Sequence, residues 1–359
     1  MRIAVDAMGA DRGPKAMVQG VVDALREDGD LSAVVTGDGR AIREVLARTK
    51  DASASRIEIL ESTDEPITAD EAPVDALRRK PGASLAQGIS LLAKEEADAL
   101  VSAGSTGALM AGAQLSLGLL AGVSRPALGT TLRNVTGQEV LVLDVGANMD
   151  ARPDVLAQYA VMASVYLKHV AGVADPRIGL LNVGVEDGKG NRTTRLANRL
   201  LRALDGGNHG GRDRVHYVGN VESRDLYAGR ADAVVCDGFS GNLMLKALEG
   251  FGLMIREGLS TEFRRSPRTE IGALLVMPAL KRLMKAIDYE ETGGAPLFGP
   301  AGVVIKCHGS SGPRSVVNGI RLARRAVTER MVERMADAMG HLSLPKLGSL
   351  GGSASTGEG

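Results

Sequence analysis

Tryptophan is absent from the 359 residues, and aromatic residues make up only 3% of them. A chain so poor in flat rings lacks the stacking platforms of a single-strand nucleic-acid binder. Charge of one sign is missing as well. Its 43 basic and 43 acidic residues cancel, leaving no overall field to draw a polyanion, so no nucleic-acid partner is expected. Cysteine occurs twice, at Cys236 and Cys307, which excludes a disulfide framework and a cysteine-rich metal site and points to a reducing cytosol. The five histidines, at positions 169, 209, 216, 308 and 341, show no metal-ligand spacing, and no metal is expected. No run approaches the roughly 18 to 20 apolar residues of a membrane span. The opening "MRIAVDAMG" enters a strand pattern at once, without the long apolar region of a secretion signal.

What is present suits a globular chain: 44% hydrophobic and 24% charged residues can bury a full core. Short apolar runs alternate with longer helical patterns. "RIAV" (2–5), "AVVT" (33–36), "RIEIL" (56–60), "DALVS" (98–102), "EVLVLD" (139–144), "RIGLLN" (177–182), "RVHYV" (214–218) and "DAVVC" (232–236) read as strands. The alternation predicts an α/β fold of three layers, with helices on both faces of a mostly parallel sheet. Residues 1–342 read as one such unit, large enough for two lobes, and 343–359, small and polar, as a disordered tail.

In parallel sheets ligands sit in the loops after the strands. Five of these loops are rich in Gly, Asp, Asn, Ser and Thr: "DAMGAD", "SAGSTGA", "DVGANMD", "NVGVEDGKGN" and "DGFSGN". Two of them lie in matching stretches, since residues 97–110 and 231–244 agree at eight of fourteen positions without a gap. The matched pair is expected side by side, facing one pocket. Gly-rich loops that open helices suit an anion, because backbone N–H groups and the positive helix end point at it. Familiar nucleotide motifs are not completed. "GVEDGKG" has only three residues between Gly184 and Gly188 and no following Ser or Thr, and no G-x-G-x-x-G follows a strand. "GFSGN" lacks the spacing of a nucleophile elbow, and Cys236 reads as a core residue. With no covalent nucleophile to nominate, a bound phosphate or carboxylate acting as the nucleophile is the chemistry that remains.

"DAMGAD", "SAGSTGALMAG", "LDVGANMD", "NVGVEDGKGN", "DGFSGNLMLK" and "GAPLFGPAGVVIKCHGSS" follow one another between residues 6 and 311. In that ordered set the chain resembles the bacterial PlsX family, the phosphate acyltransferases of phospholipid synthesis. Ala10 and Ser105 stand where the family more often has Gly and Asn, and Pro81 and Ala83 where it more often has Lys and Ser. The resemblance implies a fold related to phosphotransacetylases and isopropylmalate dehydrogenases, a homodimer, and no cofactor. It implies transfer of a fatty acyl group from acyl-ACP to inorganic phosphate, the product feeding a membrane glycerol-3-phosphate acyltransferase. Lys189 and Asn242 match the positions that the family's pattern marks as catalytic. Gly9, Ser102, Gly104, Thr106, Gly107, Asn148, Gly238, Ser240 and Gly241 would cradle the anion. Asp6, Asp11, Asp144, Glu186 and Asp237 would brace loops, and His308 would assist the leaving thiolate. The rival readings are a phosphotransacetylase acting on acyl-CoA, a decarboxylating dehydrogenase, and a non-catalytic membrane scaffold for lipid-synthesis enzymes.

An acidic carrier protein needs a basic surface, and residues 256–285 hold seven basic and three acidic side chains. Within 271–287, a helix opening at Pro278 would place Leu280, Leu283, Met284 and Ile287 on one face and Lys281, Arg282 and Lys285 on the other. That pattern predicts a tip for a dimer partner or an anionic membrane, on a cytoplasmic protein in peripheral contact with the bilayer. The small residues of 107–122 are candidates for an acyl tunnel.

Overall fold

The computed structural model describes residues 1–11, 13–49, 51–134, 137–206, 215–287 and 293–345, without the side chains of 281–287. Most of the expected tail therefore lies outside the described residues. Eleven strands form one continuous sheet. They are β1 (Arg2–Asp6), β2 (Ser32–Gly37), β3 (Ile57–Glu61), β4 (Ala99–Ser102), β5 (Ala127–Arg133), β6 (Glu139–Leu143), β7 (Arg177–Leu181), β8 (His216–Val221), β9 (Ala233–Val235), β10 (Ala295–Phe298) and β11 (Val303–Lys306). The helices are α1 (Pro14–Glu27), α2 (Gly39–Thr49), α3 (Pro73–Arg79), α4 (Ser84–Ala93), α5 (Thr106–Ser116), α6 (Pro153–His169), α7 (Arg192–Gly206), α8 (Gly238–Phe263), α9 (Pro267–Ile287), α10 (Pro313–Thr328) and α11 (Met331–Gly340).

Successive strand residues point to opposite faces, and here both faces are covered. Ile3 and Val5 join a cluster with α1, α6, α10 and α11, whereas Ala4, Val34 and Leu100 join a second with α4 and α5. This accounts for the apolar runs read from the sequence: a strand buried on both faces has no polar side to alternate with. The expected three layers are present.

The sheet order is β3-β2-β1-β4-β11-β10-β5-β6-β9-β7-β8. β1, β2, β3, β4 and β11 are mutually parallel, as are β6, β9, β7 and β8. Between the two groups the direction reverses three times, at β11–β10, β10–β5 and β5–β6. The groups therefore run in opposite senses, and their loops leave the sheet in opposite directions. β4 and β9, which carry the matched stretches, have four strands between them. The expectation that these loops lie side by side is thus not met. It takes both strands to end on one side of the mostly parallel sheet, and the antiparallel β5 and β10 between them reverse that.

The opening of α9 also differs from expectation. Pro267 begins the helix and Pro278 lies inside it. The stronger start signal is Ser266, whose Oγ accepts the Thr269 N–H at 3.2 Å, a local cap that precedes the proline turn. Among the described side chains of α9 the exposed apolar ones are Ile271, Leu274, Leu275 and Val276. Leu280 is half-buried, and the side chains of Lys281, Arg282, Leu283, Met284, Lys285 and Ile287 lie outside the described residues. The small-residue stretch after residue 107 is packed over part of its length. In α5, Ala108, Leu109, Gly112 and Ala113 are buried, with Gly112 against Ile89 of α4 and Leu77 of α3. Small side chains there serve close helix packing.

Candidate active site

The chemistry-bearing loops fall into two sets, one for each group of parallel strands. The first gathers at the ends of β1, β4 and β11. Asp6 is 1% exposed, and its carboxylate accepts the Met8 N–H at 3.1 Å, the Ser84 hydroxyl at 2.6 Å and the Ser102 hydroxyl at 2.7 Å. Ser102 Oγ in turn accepts the Gly104 N–H at 3.0 Å. Gly9 packs onto that loop so closely that a Cβ would stand 2.2 Å from the Gly104 nitrogen, which leaves room only for glycine. The Asp11 N–H donates to the Gly309 carbonyl at 2.8 Å. Ser105 caps α5 by accepting the Ala108 N–H at 3.4 Å, so Thr106 and Gly107 sit in its first turn. His308 is exposed, with Nδ1 2.8 Å from the Ser310 hydroxyl.

One residue of this set was missed in the sequence. Lys306 ends β11 beside Ser102 and is buried, its ammonium donating to the Ala103 carbonyl at 3.3 Å and to that of Cys307. Burial holds its pKa below the ordinary lysine value. The available signal was a lysine closing the apolar run "VVIK", at the end from which a loop leaves the sheet.

The second set gathers at the ends of β6, β9 and β7, and it contains both catalytic candidates. Asp144 is fully buried. Its Oδ1 accepts N–H groups from Leu128 at 3.0 Å, Gly146 at 3.0 Å and Ala147 at 2.8 Å, and its Oδ2 accepts that of Asn148 at 2.6 Å. Burial pushes its pKa up to about 6, against the pull of those N–H groups, which favour the anion. The carboxylate thus shapes the loop from Val145 to Asn148. That loop docks on the start of α8. The Gly238 N–H donates to the Asn148 carbonyl at 2.9 Å. A Cβ on Gly241 would stand 1.9 Å from the Asp144 carbonyl oxygen. Asp237 caps the helix by accepting the Ser240 N–H at 2.7 Å. Asn242, in the first turn, faces Gly146. Cys236 is buried, donates to the Asp144 carbonyl at 3.2 Å and has its thiol pushed well up by burial, which removes it as a nucleophile.

Lys189 stands on the loop after β7, exposed, with its stem against Gly184. No ion pair holds its ammonium among the described residues. The loop itself is held from behind. The Asn182 amide donates to the Lys189 carbonyl at 3.3 Å, and the Asn220 amide donates to that of Glu186 at 2.9 Å. Glu186 is exposed, and its carboxylate lies against Gly184 as the Lys189 stem does. Next to these loops lies a cavity of about 660 Å³, whose lining includes Asn182, Gly190, Asn191, Asp237 and Ser240. The second set therefore brings the loop that carries Lys189 and the N-terminus of α8 to one hollow, whose lining includes the neighbours of Lys189 and Asn242 but neither of those residues. Asn182 and Asn220, which place the loop, were also missed, because an asparagine inside or just after a strand reads as a turn former.

The chain matches a protein family described as "Fatty acid synthesis protein" over residues 1–334. A phosphate acyltransferase from Bacillus cereus (strain G9842) is 44% identical over 344 residues, which cover 96% of this chain and 100% of the relative. One from Bacillus cytotoxicus is 44% identical over 339 residues, covering 94% of this chain and 98% of the relative. Among solved structures, a phosphotransacetylase from Streptococcus pyogenes superposes with a TM-score of 0.60 at 18% identity, covering 92% of this chain and 94% of that one. A branched-chain phosphotransacylase from Enterococcus faecalis V583 gives 0.54 at 14% identity, covering 91% and 100%. At such identities the likeness is one of fold.

Proposed function

The chain belongs to the PlsX family of phosphate acyltransferases, and we propose that its substrates are an acyl-ACP thioester and inorganic phosphate. A phosphate oxygen attacks the thioester carbonyl carbon, a C–O bond forms, and the C–S bond breaks as the thiolate leaves with its electron pair. The products are an acyl phosphate and free carrier protein. Holding phosphate beside the carbonyl makes this encounter unimolecular in effect. Lys189 binds the phosphate and balances charge as it builds, and the Asn242 amide donates to the carbonyl oxygen as it becomes an oxyanion. Asn148, Gly238, Ser240 and Gly241 complete the cradle at the start of α8, with Asp144 and Asp237 positioning it. A thiol of ordinary pKa, about 8.5, leaves without a strong general acid.

The observation that carries this reading is the exposed, unpaired Lys189 ammonium on a loop that shares a cavity with the first turn of α8. The first set, with Gly9, Ser102, Gly104, Thr106 and Gly107, is read as a brace for the ends of β1, β4 and β11. His308 belongs to that set and is assigned no part in the chemistry. The test is to incubate the purified protein with palmitoyl-ACP and phosphate and to measure acyl phosphate. Formation only from acyl-CoA would replace this reading by the phosphotransacetylase one, which the fold also accommodates.

The long α8 and α9 pack on each other and leave Phe251, Leu253, Met254, Ile271, Leu274, Leu275 and Val276 exposed. We read this apolar pair of helices, with Arg264 and Arg268 at the turn between them, as the surface for a second copy of the chain and for an anionic bilayer. Delivery of the acyl phosphate to a membrane glycerol-3-phosphate acyltransferase fits such a contact. No helix among the described residues is long and apolar enough to cross a membrane.

A further inference from the structure

We propose that the cavity between β7 and the first turns of α8 receives the acyl chain of the thioester, and that Ala247 limits the length it accepts. This rests on the acyl-transfer reading above. The cavity begins at the site already described, since Asn191, Asp237 and Ser240 line it. From Ser240 it follows α8 through Leu243, Met244, Ala247 and Leu248. These positions lie three, four, seven and eight residues on, which places them on one face of the helix. At 1.5 Å per residue the stripe runs about 12 Å away from the polar end. Beyond Ser240 this wall offers only hydrocarbon and a thioether. The rest of the lining mixes apolar Leu156, Leu180 and Leu181 with Thr194, Ser223, Arg224 and Tyr227.

The chemistry of that wall selects its occupant. A pantetheine arm carries amides, each of which loses its water on burial and needs a partner. A fatty acyl chain needs none and gains about fourfold in affinity for each methylene it buries. The volume of about 660 Å³ falls within the roughly 300–1,000 Å³ of small-molecule pockets. In the small-residue stretch of α5, Gly112 is filled against Ile89 and Leu77.

The test is the ratio of kcat/KM for palmitoyl-ACP to that for butyryl-ACP, read from acyl phosphate formation. Ala247→Trp fills the far part of the stripe and should lower that ratio about tenfold or more. Lys246→Trp, at a neighbour exposed like Ala247 but outside the cavity lining, carries the same bulk and should leave the ratio as in the parent. A ratio unchanged by Ala247→Trp, in a protein that still makes acyl phosphate, overturns this inference and leaves the reaction standing. Equal loss on both thioesters overturns it too, because that is the result for a pantetheine arm. If Ala247→Trp fails to fold, Ala247→Leu provides the same readout with a smaller change. A parent that forms no acyl phosphate from either thioester overturns both the inference and the reading beneath it.

Discussion

At the scale of single residues, the second set of loops holds an exposed lysine and a buried carboxylate, and the two predict opposite kinds of defect. Lys189 is exposed and makes no ion pair among the described residues, so its removal costs little stability, within about 0.5 kcal/mol. Lys189→Ala should nevertheless lower kcat by a factor on the order of 10²–10³, the range for one oxyanion donor. A variant with the parent's thermal midpoint and near-parent acyl phosphate formation would remove Lys189 from the chemistry. Asp144 behaves otherwise. Asp144→Asn turns an NH2 group toward backbone N–H donors, leaving at least one of them unpaired at a cost of about 1–3 kcal/mol. The pH dependence gives a second signature. The folded pKa of about 6 lies above the ordinary 3.8. Between those values the folded state binds more protons than the unfolded one. Stability from this group therefore rises as pH falls through about 6 and is lost as pH climbs back. The variant lacks that gain. Its deficit in thermal melts should widen from about pH 7 to about pH 4, and a constant gap would show that burial does not govern Asp144.

At the scale of elements, the legible parts were those whose signals are local. Pro14, Pro73, Pro153 and Pro313 each open a helix, where a missing N–H costs nothing and φ is already set. Eight apolar runs became strands because both sheet faces are covered. The three strands that were not read, β5, β10 and β11, carry weak local signals. β10 has four residues with Pro296 among them, and β5 has Gly129 near its start. Each pairs antiparallel with the strand that follows it, β5 with β6 and β10 with β11, but their pairing with each other joins segments far apart in sequence, and nothing near them announces it. In α9 two local signals competed, and Pro278 outweighed the Ser266 cap. Correcting that boundary moves the exposed apolar tip to Leu274 and Leu275, 74% and 80% exposed. If the tip meets a bilayer, Leu274→Glu with Leu275→Glu should reduce sedimentation with vesicles of anionic lipid, while folding and acyl transfer in solution persist. Each basic residue near the surface adds about 1 kcal/mol to such binding, so a residual, salt-sensitive association is expected from Arg264 and Arg268. Vesicle binding equal to the parent's would exclude this tip from the contact.

At the scale of the whole molecule, the three reversals of strand direction decide which loops can act together. Composition and periodicity made the α/β class readable, and with it the glycine-rich loops after β1, β4, β6, β7 and β9. Their division into two sets was not readable, because it depends on β5 and β10 alone. "DAMGAD" and "SAGSTGA" close around Asp6, while "DVGANMD", "NVGVEDGKGN" and "DGFSGN" close around Asp144 and the cavity. The hydrogen bonds that hold these loops each stay within one set. A phosphate bound at Lys189 and Asn242 should therefore restrain the second set and leave the first as it was. Amide hydrogen exchange resolves the two, because local opening of a loop is slowed by whatever binds its closed form. Saturating phosphate should slow exchange across 184–191 and 237–242. Exchange across 6–11 and 102–107 should be unchanged, although those stretches carry the same glycine-rich chemistry. Protection of both sets would mean that the loops share the anion despite leaving the sheet in opposite directions, and Ser102 and Gly104 would return to the cradle. Protection of the first set alone would move the phosphate to Lys306, the other lysine at a strand end, and would take Lys189 and Asn242 out of the site.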